Sequence, residues 1–413
     1  MFSTGVKCAA AAAICLLCVP AMATSPVRAA SDTNDVQTLE ALSQSAATTD
    51  ERKLAQGTAL SLRHKDQAAI AVLEPLAARA GEKDIRAAAY LAVSSVYQRQ
   101  SRFADVCRTM EAAKALRGGS LNHDDAQTLD FSVSLAGVTP MTVRRATGKL
   151  VVTRDIVGLA RIPVAINGHA IDAVADTGAG FSTVTETAAK KLGVKLLDRA
   201  TTVTSASKDD VATRLGVAEK LQFGDAELTN VVFIVLPDSA LSFAGGKYNI
   251  EAIVGLPVFE ALRRIELAKE EGKEALYYGP KASAPAVGNM IFDGVEPVVL
   301  AQAGDAHLRL FIDTGATTTS LNGSAARDYP ALTAEAVKAT VQLQGAGGPS
   351  DDPGVMTVPT LRLTIAGRTF DLKAITMRSK VLNGHHGDIG QDILKQGTRW
   401  ALDFETMSFT VED

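Results

Sequence analysis

Ala170-Ile171-Asp172-Ala173-Val174-Ala175-Asp176-Thr177-Gly178-Ala179 decides how this chain is read, because its ending returns 137 residues later (313 − 176) as Asp313-Thr314-Gly315-Ala316. Each copy closes a hairpin pattern. Ile162-Pro163-Val164-Ala165-Ile166 precedes Asn167-Gly168, a strong two-residue turn signal, before the first copy. Val298-Val299-Leu300, a turn at Gly304-Asp305 and His307-Leu308-Arg309-Leu310-Phe311-Ile312 precede the second. A later landmark also repeats, Ala252-Ile253-Val254-Gly255 after the first copy and Gly387-Asp388-Ile389-Gly390 after the second, at offsets of 79 (255 − 176) and 77 (390 − 313). Each half then ends on a basic turn and a strand, Arg263-Arg264-Ile265-Glu266-Leu267 and Arg399-Trp400-Ala401-Leu402-Asp403.

One Asp-Thr-Gly is an ordinary turn composition. Two copies, each behind a hairpin and each followed by the same landmark at nearly the same distance, are consistent at several levels and point to a doubled lobe. These residues resemble the retropepsin-like aspartic proteases, over about 260 residues from Lys149 to the C-terminus. The resemblance implies two acid-protease β-barrel lobes fused into a pseudo-dimer, with Asp176 and Asp313 as the catalytic pair. It implies that Thr177, Gly178, Thr314, Gly315, Ile253, Gly255, Ile389 and Gly390 support the catalytic loops, with Thr177 and Thr314 bonding across the axis. Ala179, Gly180, Ala316 and Thr317 would line the substrate site. Flap hairpins are expected between motif and landmark, with tips at Ser205, Ala206 and Ser207 in the first lobe and Gly345, Ala346 and Gly347 in the second.

Two carboxyl groups forced together cannot both ionise cheaply, so one keeps a proton. The ionised member can take a proton from a water held between them, and its partner can donate to the carbonyl under attack. The pair titrates as a unit. Asp388 stands where the first half has the apolar Ile253; it is expected to cap the helix starting near Gln391, or else to face solvent or an arginine.

The 413 residues carry 42 basic and 46 acidic side chains, a net charge of −4 that offers no electrostatic basis for nucleic-acid binding. Cys8 to Val19 form a short apolar segment after Lys7, followed by Pro20 and Ala21-Met22-Ala23: a signal peptide over residues 1–23, with a weaker cleavage site near Ala29. Export to the periplasm or beyond is expected, with no membrane association after cleavage. Cys107 is the single cysteine left beyond that segment, so neither a disulfide framework nor a cysteine metal cluster can form.

Residues 35–118 are Ala-rich with helical spacing, as at Ala87, Leu91, Ala92 and Val96, and break at His64-Lys65-Asp66 and Ser101-Arg102. They resemble about two tetratricopeptide repeats and fit an ordinary helical bundle equally. A linker over 119–148, lobe one over 149–280 and lobe two over 286–413 complete the expected architecture of a helical module and two all-β lobes. No metal or cofactor is expected: the His385-His386 pair reads as a solvated loop, and no zinc-protease, serine-hydrolase or phosphate-loop motif occurs. The expected function is an exported aspartic endopeptidase, monomeric in its protease part, acting on a peptide or protein, with the helices binding a protein partner. The alternatives are a non-catalytic periplasmic peptide-binding adaptor on the same fold, and a zymogen whose residues 24–148 are removed.

Overall fold

The computed structural model describes residues 25–79, 81–203, 211–281, 288–339, 342–343, 345, 348, 350–382 and 384–413. Seven helices among them, from Pro26–Asp32 to His123–Leu135, form the N-terminal region, and each packs against its neighbour in sequence. The turns fall where expected. Leu62 ends one helix and Asp66 begins the next, with His64 at φ +56°; Arg99 and Phe103 bracket the second break, with Ser101 at φ +55°. Residues 119–148, expected as linker, differ from that expectation: they hold the helix His123–Leu135, started by Asn122 accepting from the Asp125 amide, and the strand Thr142–Arg144. The polar composition of this helix hid it, since only Leu129, Phe131, Ser132 and Leu135 are buried.

The β part holds two lobes built on one plan. In lobe one, Ala160–Ile166 turns through Asn167 and Gly168, both at positive φ, into His169–Ala175, with Ile166 opposite His169. That is the two-residue turn whose twist suits a hairpin. Alternation along Ala160–Ile166 turns Ile162, Val164 and Ile166 inward. The landmark strand Ala252–Val254 then lies parallel to the strand leading into Asp176 and antiparallel to Ser182–Thr185. Lobe two repeats this with Glu296–Ala303, a turn at Gly304, and Ala306–Ile312, beside which Gly387–Ile389 runs parallel while pairing antiparallel with Ser320–Leu321.

The lobes are joined by a shared sheet in which Ser408–Glu412, Arg399–Asp403, Arg264–Glu270, Lys273–Tyr278 and Gly148–Arg154 lie side by side. The last strands of lobe two are thus part of lobe one's sheet, and one apolar core runs through both.

Candidate active site

Asp176 and Asp313 leave the ends of two buried strands that are pinned by the landmark of their own lobe: the Asp176 amide donates to Val254 O and the Asp313 amide to Ile389 O, both at 3.0 Å. Val254, not Ile253, is therefore the counterpart of Ile389. Gly255 and Gly390 are required for space. A Cβ on Gly255 would lie 2.7 Å from Ala179 O, and one on Gly390 2.6 Å from Thr318 O, in the loops that leave the two motifs. Behind them, the Gly255 amide donates to Ser182 Oγ and the Gly390 amide to Thr319 Oγ1, each at 3.1 Å.

The lobes are locked across the pseudo-twofold axis by two buried threonines. The Thr177 amide donates to Thr314 Oγ1 at 3.0 Å and the Thr314 amide to Thr177 Oγ1 at 3.1 Å. Each hydroxyl then donates to a backbone carbonyl of the opposite lobe, Thr177 to Ile312 O at 2.6 Å and Thr314 to Ala175 O at 3.0 Å. This lock carries the carboxylates together, close enough for the charge of one to act on the other. A Cβ on Gly315 would lie 2.6 Å from Asp176 Oδ2, and one on Gly178 would strike Asp313, so each carboxylate lies against the other lobe's motif glycine.

Burial lifts both carboxyl groups above the ordinary carboxylate range, and the two titrate together. Asp313 is lifted further, by burial and then by the charges of Asp176 and Asp388. Asp176 is lifted by burial but held back by amides of Gly178, Gly315 and Ala179. Beside the pair, Ala179 and Ala316 are half-buried while Gly180 and Thr317 are exposed.

Asp388 does not cap the helix Gln391–Leu394, whose N-cap is Gly390 without a side-chain bond. Its carboxylate instead meets Arg378 at 3.3 Å and accepts from Ser320 Oγ at 3.1 Å. The histidine pair is not solvated: His385 is 8% exposed and His386 1%. His386 Nδ1 accepts from the Arg309 amide, and burial together with the Arg309 charge lowers its pKa to about 4. His385 lies with Asp293 and Glu296, and one ligand atom from each falls within a 4.8 Å group able to hold a metal ion. Those partners lie about 90 residues away in sequence, 92 for Asp293, so spacing could not reveal them.

The strands Lys195–Val203 and Val211–Phe223 pair as expected for the lobe-one hairpin, through Thr201 with Thr213 and Val203 with Val211. In lobe two, Gln342–Leu343 pairs with Ser350–Asp351, and Gly345 lies between them. Ser205, Ala206, Ser207, Ala346 and Gly347 lie outside the described residues. Sequence reading missed Gln391, whose Nε2 donates to Thr314 O at 2.7 Å while its Oε1 accepts from Arg154 of lobe one at 3.3 Å. Its place directly after the Gly390 landmark was the available signal.

Residues 162–258 match a family model described as aspartyl protease. The matched stretch lies within lobe one, whose plan of hairpin, motif and landmark strand is repeated in lobe two. Among solved structures, a retropepsin-like aspartic protease from Rickettsia conorii is similar at 19% identity, covering 33% of this chain and 94% of that one, with a TM-score of 0.24. No curated protein sequence matches.

Proposed function

We propose that this protein is an exported aspartic endopeptidase whose water is activated between Asp176 and Asp313. The observation that carries the reading is the reciprocal bonding of Thr177 and Thr314, which brings one carboxyl group from each lobe to a common point. Burial of the two carboxyl groups together lets only one of them ionise cheaply, so one member of the pair holds the shared proton and the other carries the charge. The ionised carboxylate takes a proton from the bound water as the water oxygen attacks the peptide carbonyl, and the protonated partner donates its proton to the carbonyl oxygen. Collapse of the resulting gem-diol breaks the C–N bond as the amine nitrogen takes the proton that came from water, while a diol hydroxyl returns its proton to the other carboxylate and so restores the pair.

Export is part of the proposal, and packing favours the upstream cleavage site. Val27 and Ala30 of the helix Pro26–Asp32 are 1% and 5% exposed within the helical core, so a cut near Ala29 would divide a packed element, whereas a cut after Ala23 leaves it whole. Among the described residues, no helix is long and apolar enough to cross a membrane.

A mixed peptide library incubated with the mature protein tests the catalytic reading. Cleavage by the wild type should fall by at least about 10²-fold in Asp176→Asn and in Asp313→Asn. Equal cleavage by all three proteins would sink the proposal, and peptide binding without turnover by the wild type would favour a peptide-binding adaptor.

A further inference from the structure

The helix His123–Leu135 belongs to neither lobe, yet its side chains reach the loop that leaves Asp176 and the neighbouring hairpin. The Phe131 ring lies 4.7 Å from that of Phe181, and Phe103 of the preceding helix lies 6.4 Å from it, centroid to centroid. Phe181 stands five residues after Asp176, and its backbone is what a Cβ on Gly255 would strike. Leu135 is fully buried with Leu215 and Val232, and Leu197 and Val203 pack on the same cluster. Asp130, one residue before Phe131, accepts from Thr201 Oγ1 at 3.2 Å and pairs with Arg199.

These contacts fall where the hairpin is weakest. Pairing between Lys195–Val203 and Val211–Phe223 is interrupted between Leu196 and Ala200, so residues 197–199 lack the ladder that would fix them. Arg199 from that interruption meets Asp130. One helix therefore touches the unladdered stretch, both hairpin strands and the loop after Asp176. On the other side, Phe311, two residues before Asp313, is buried in the helical core together with Ile291 and Val298.

We propose that Asp130 and Phe131 are positioning residues for peptide hydrolysis, holding the lobe-one hairpin at a fixed distance from the Asp176 loop. The helical region is then a working part of the substrate site and not a detachable prosegment. The proposal rests on the aspartic-protease reading above.

The test uses the full mature chain with Asp130→Ala, Asp130→Asn and Phe131→Leu, the last two keeping an acceptor and an apolar filler respectively so that folding survives. Asp130→Ala should raise KM about tenfold while kcat stays within about twofold and its pH profile is unmoved, as expected when a remote group sets substrate geometry. Asp130→Asn should recover part of the loss, because it retains an acceptor for Thr201, and Phe131→Leu should raise KM by a smaller factor. Amide exchange should quicken over 195–203 and 211–215 and stay unchanged in the lobe-two strands 356–377. Wild-type KM together with wild-type exchange in all three variants would overturn the proposal, as would a fall in kcat alone. Faster exchange in a protein whose wild type cleaves nothing would instead retire the catalytic reading, and the positioning role with it.

Discussion

The charges of Asp176 and Asp313 are managed almost entirely by backbone. Gly178 donates to Asp176 Oδ1 at 2.8 Å, while Gly315 and Ala316 donate to Asp313 Oδ1 at 2.8 and 3.0 Å, so the Thr-Gly-Ala that follows each aspartate is both its turn and its solvent. Burial still prevails and lifts both carboxyl groups, which fixes the sign of a pH effect on stability. A carboxyl whose folded pKa is raised favours the native state below its ordinary value of 3.8, and that contribution is lost as pH rises through the raised value. Asp313→Asn removes the second ionisation, so its melting temperature should gain on the wild type progressively as pH rises above about 4. A parallel course of the two proteins over that range, followed by thermal unfolding, would contradict the burial argument. At this scale the sequence was most legible for the motif residues, because their repetition pointed to all of them at once. Asp388 was legible only as a departure: that it meets Arg378 depends on a strand packing it beside a residue ten positions earlier, which no local rule specifies.

Hairpins and landmark strands were legible because their signals are local. Asn167 at φ +48° shows why its turn could be read in advance: few residues other than glycine accept that conformation, and asparagine does so while its side chain bonds nearby backbone. Here Nδ2 donates to Gly193 O at 2.8 Å and Leu192 O at 3.0 Å, and Oδ1 accepts from the Lys220 amide at 3.0 Å. Asn167→Ala should lower stability by about 2 kcal/mol, the left-handed conformation and the lost bonds together. Asn167→Gly should cost less, since only the bonds are lost. Denaturant midpoints of the two variants check this, and an alanine variant no worse than the glycine variant would refute it. The helix His123–Leu135 escaped sequence reading for the opposite reason. Its apolar face is narrow and is completed by Phe103, Leu215 and Phe181, residues contributed by other elements.

The whole molecule is held together where the lobes share a sheet. Arg264 pairs with Glu266 and lies 3.5 Å from Asp403 of the other lobe, while Arg399 reaches Glu266 at 2.7 Å. Glu266 is 4% exposed and Arg264 8%. Removing the acid leaves the buried guanidinium only its longer contact to Asp403, so Glu266→Ala should destabilise the protein by up to about 3 kcal/mol, more than the paired network contributes when intact. Urea unfolding of this variant measures the loss, and a change below about 1 kcal/mol would show that solvent reaches the site.

The amino-acid sequence by itself determined the doubled lobe, the identity of the two aspartates and the hairpins that deliver them. Each depends on turn chemistry, strand alternation or repetition along the chain, and these act over a few residues and need no partner. Only the tertiary structure decided that Gln391 bridges the lobes, that His385 and His386 are buried, and that the helix His123–Leu135 packs on the loop after Asp176. Those contacts join residues far apart along the chain, 237 positions for Arg154 and Gln391, and packing has no signature in any one segment.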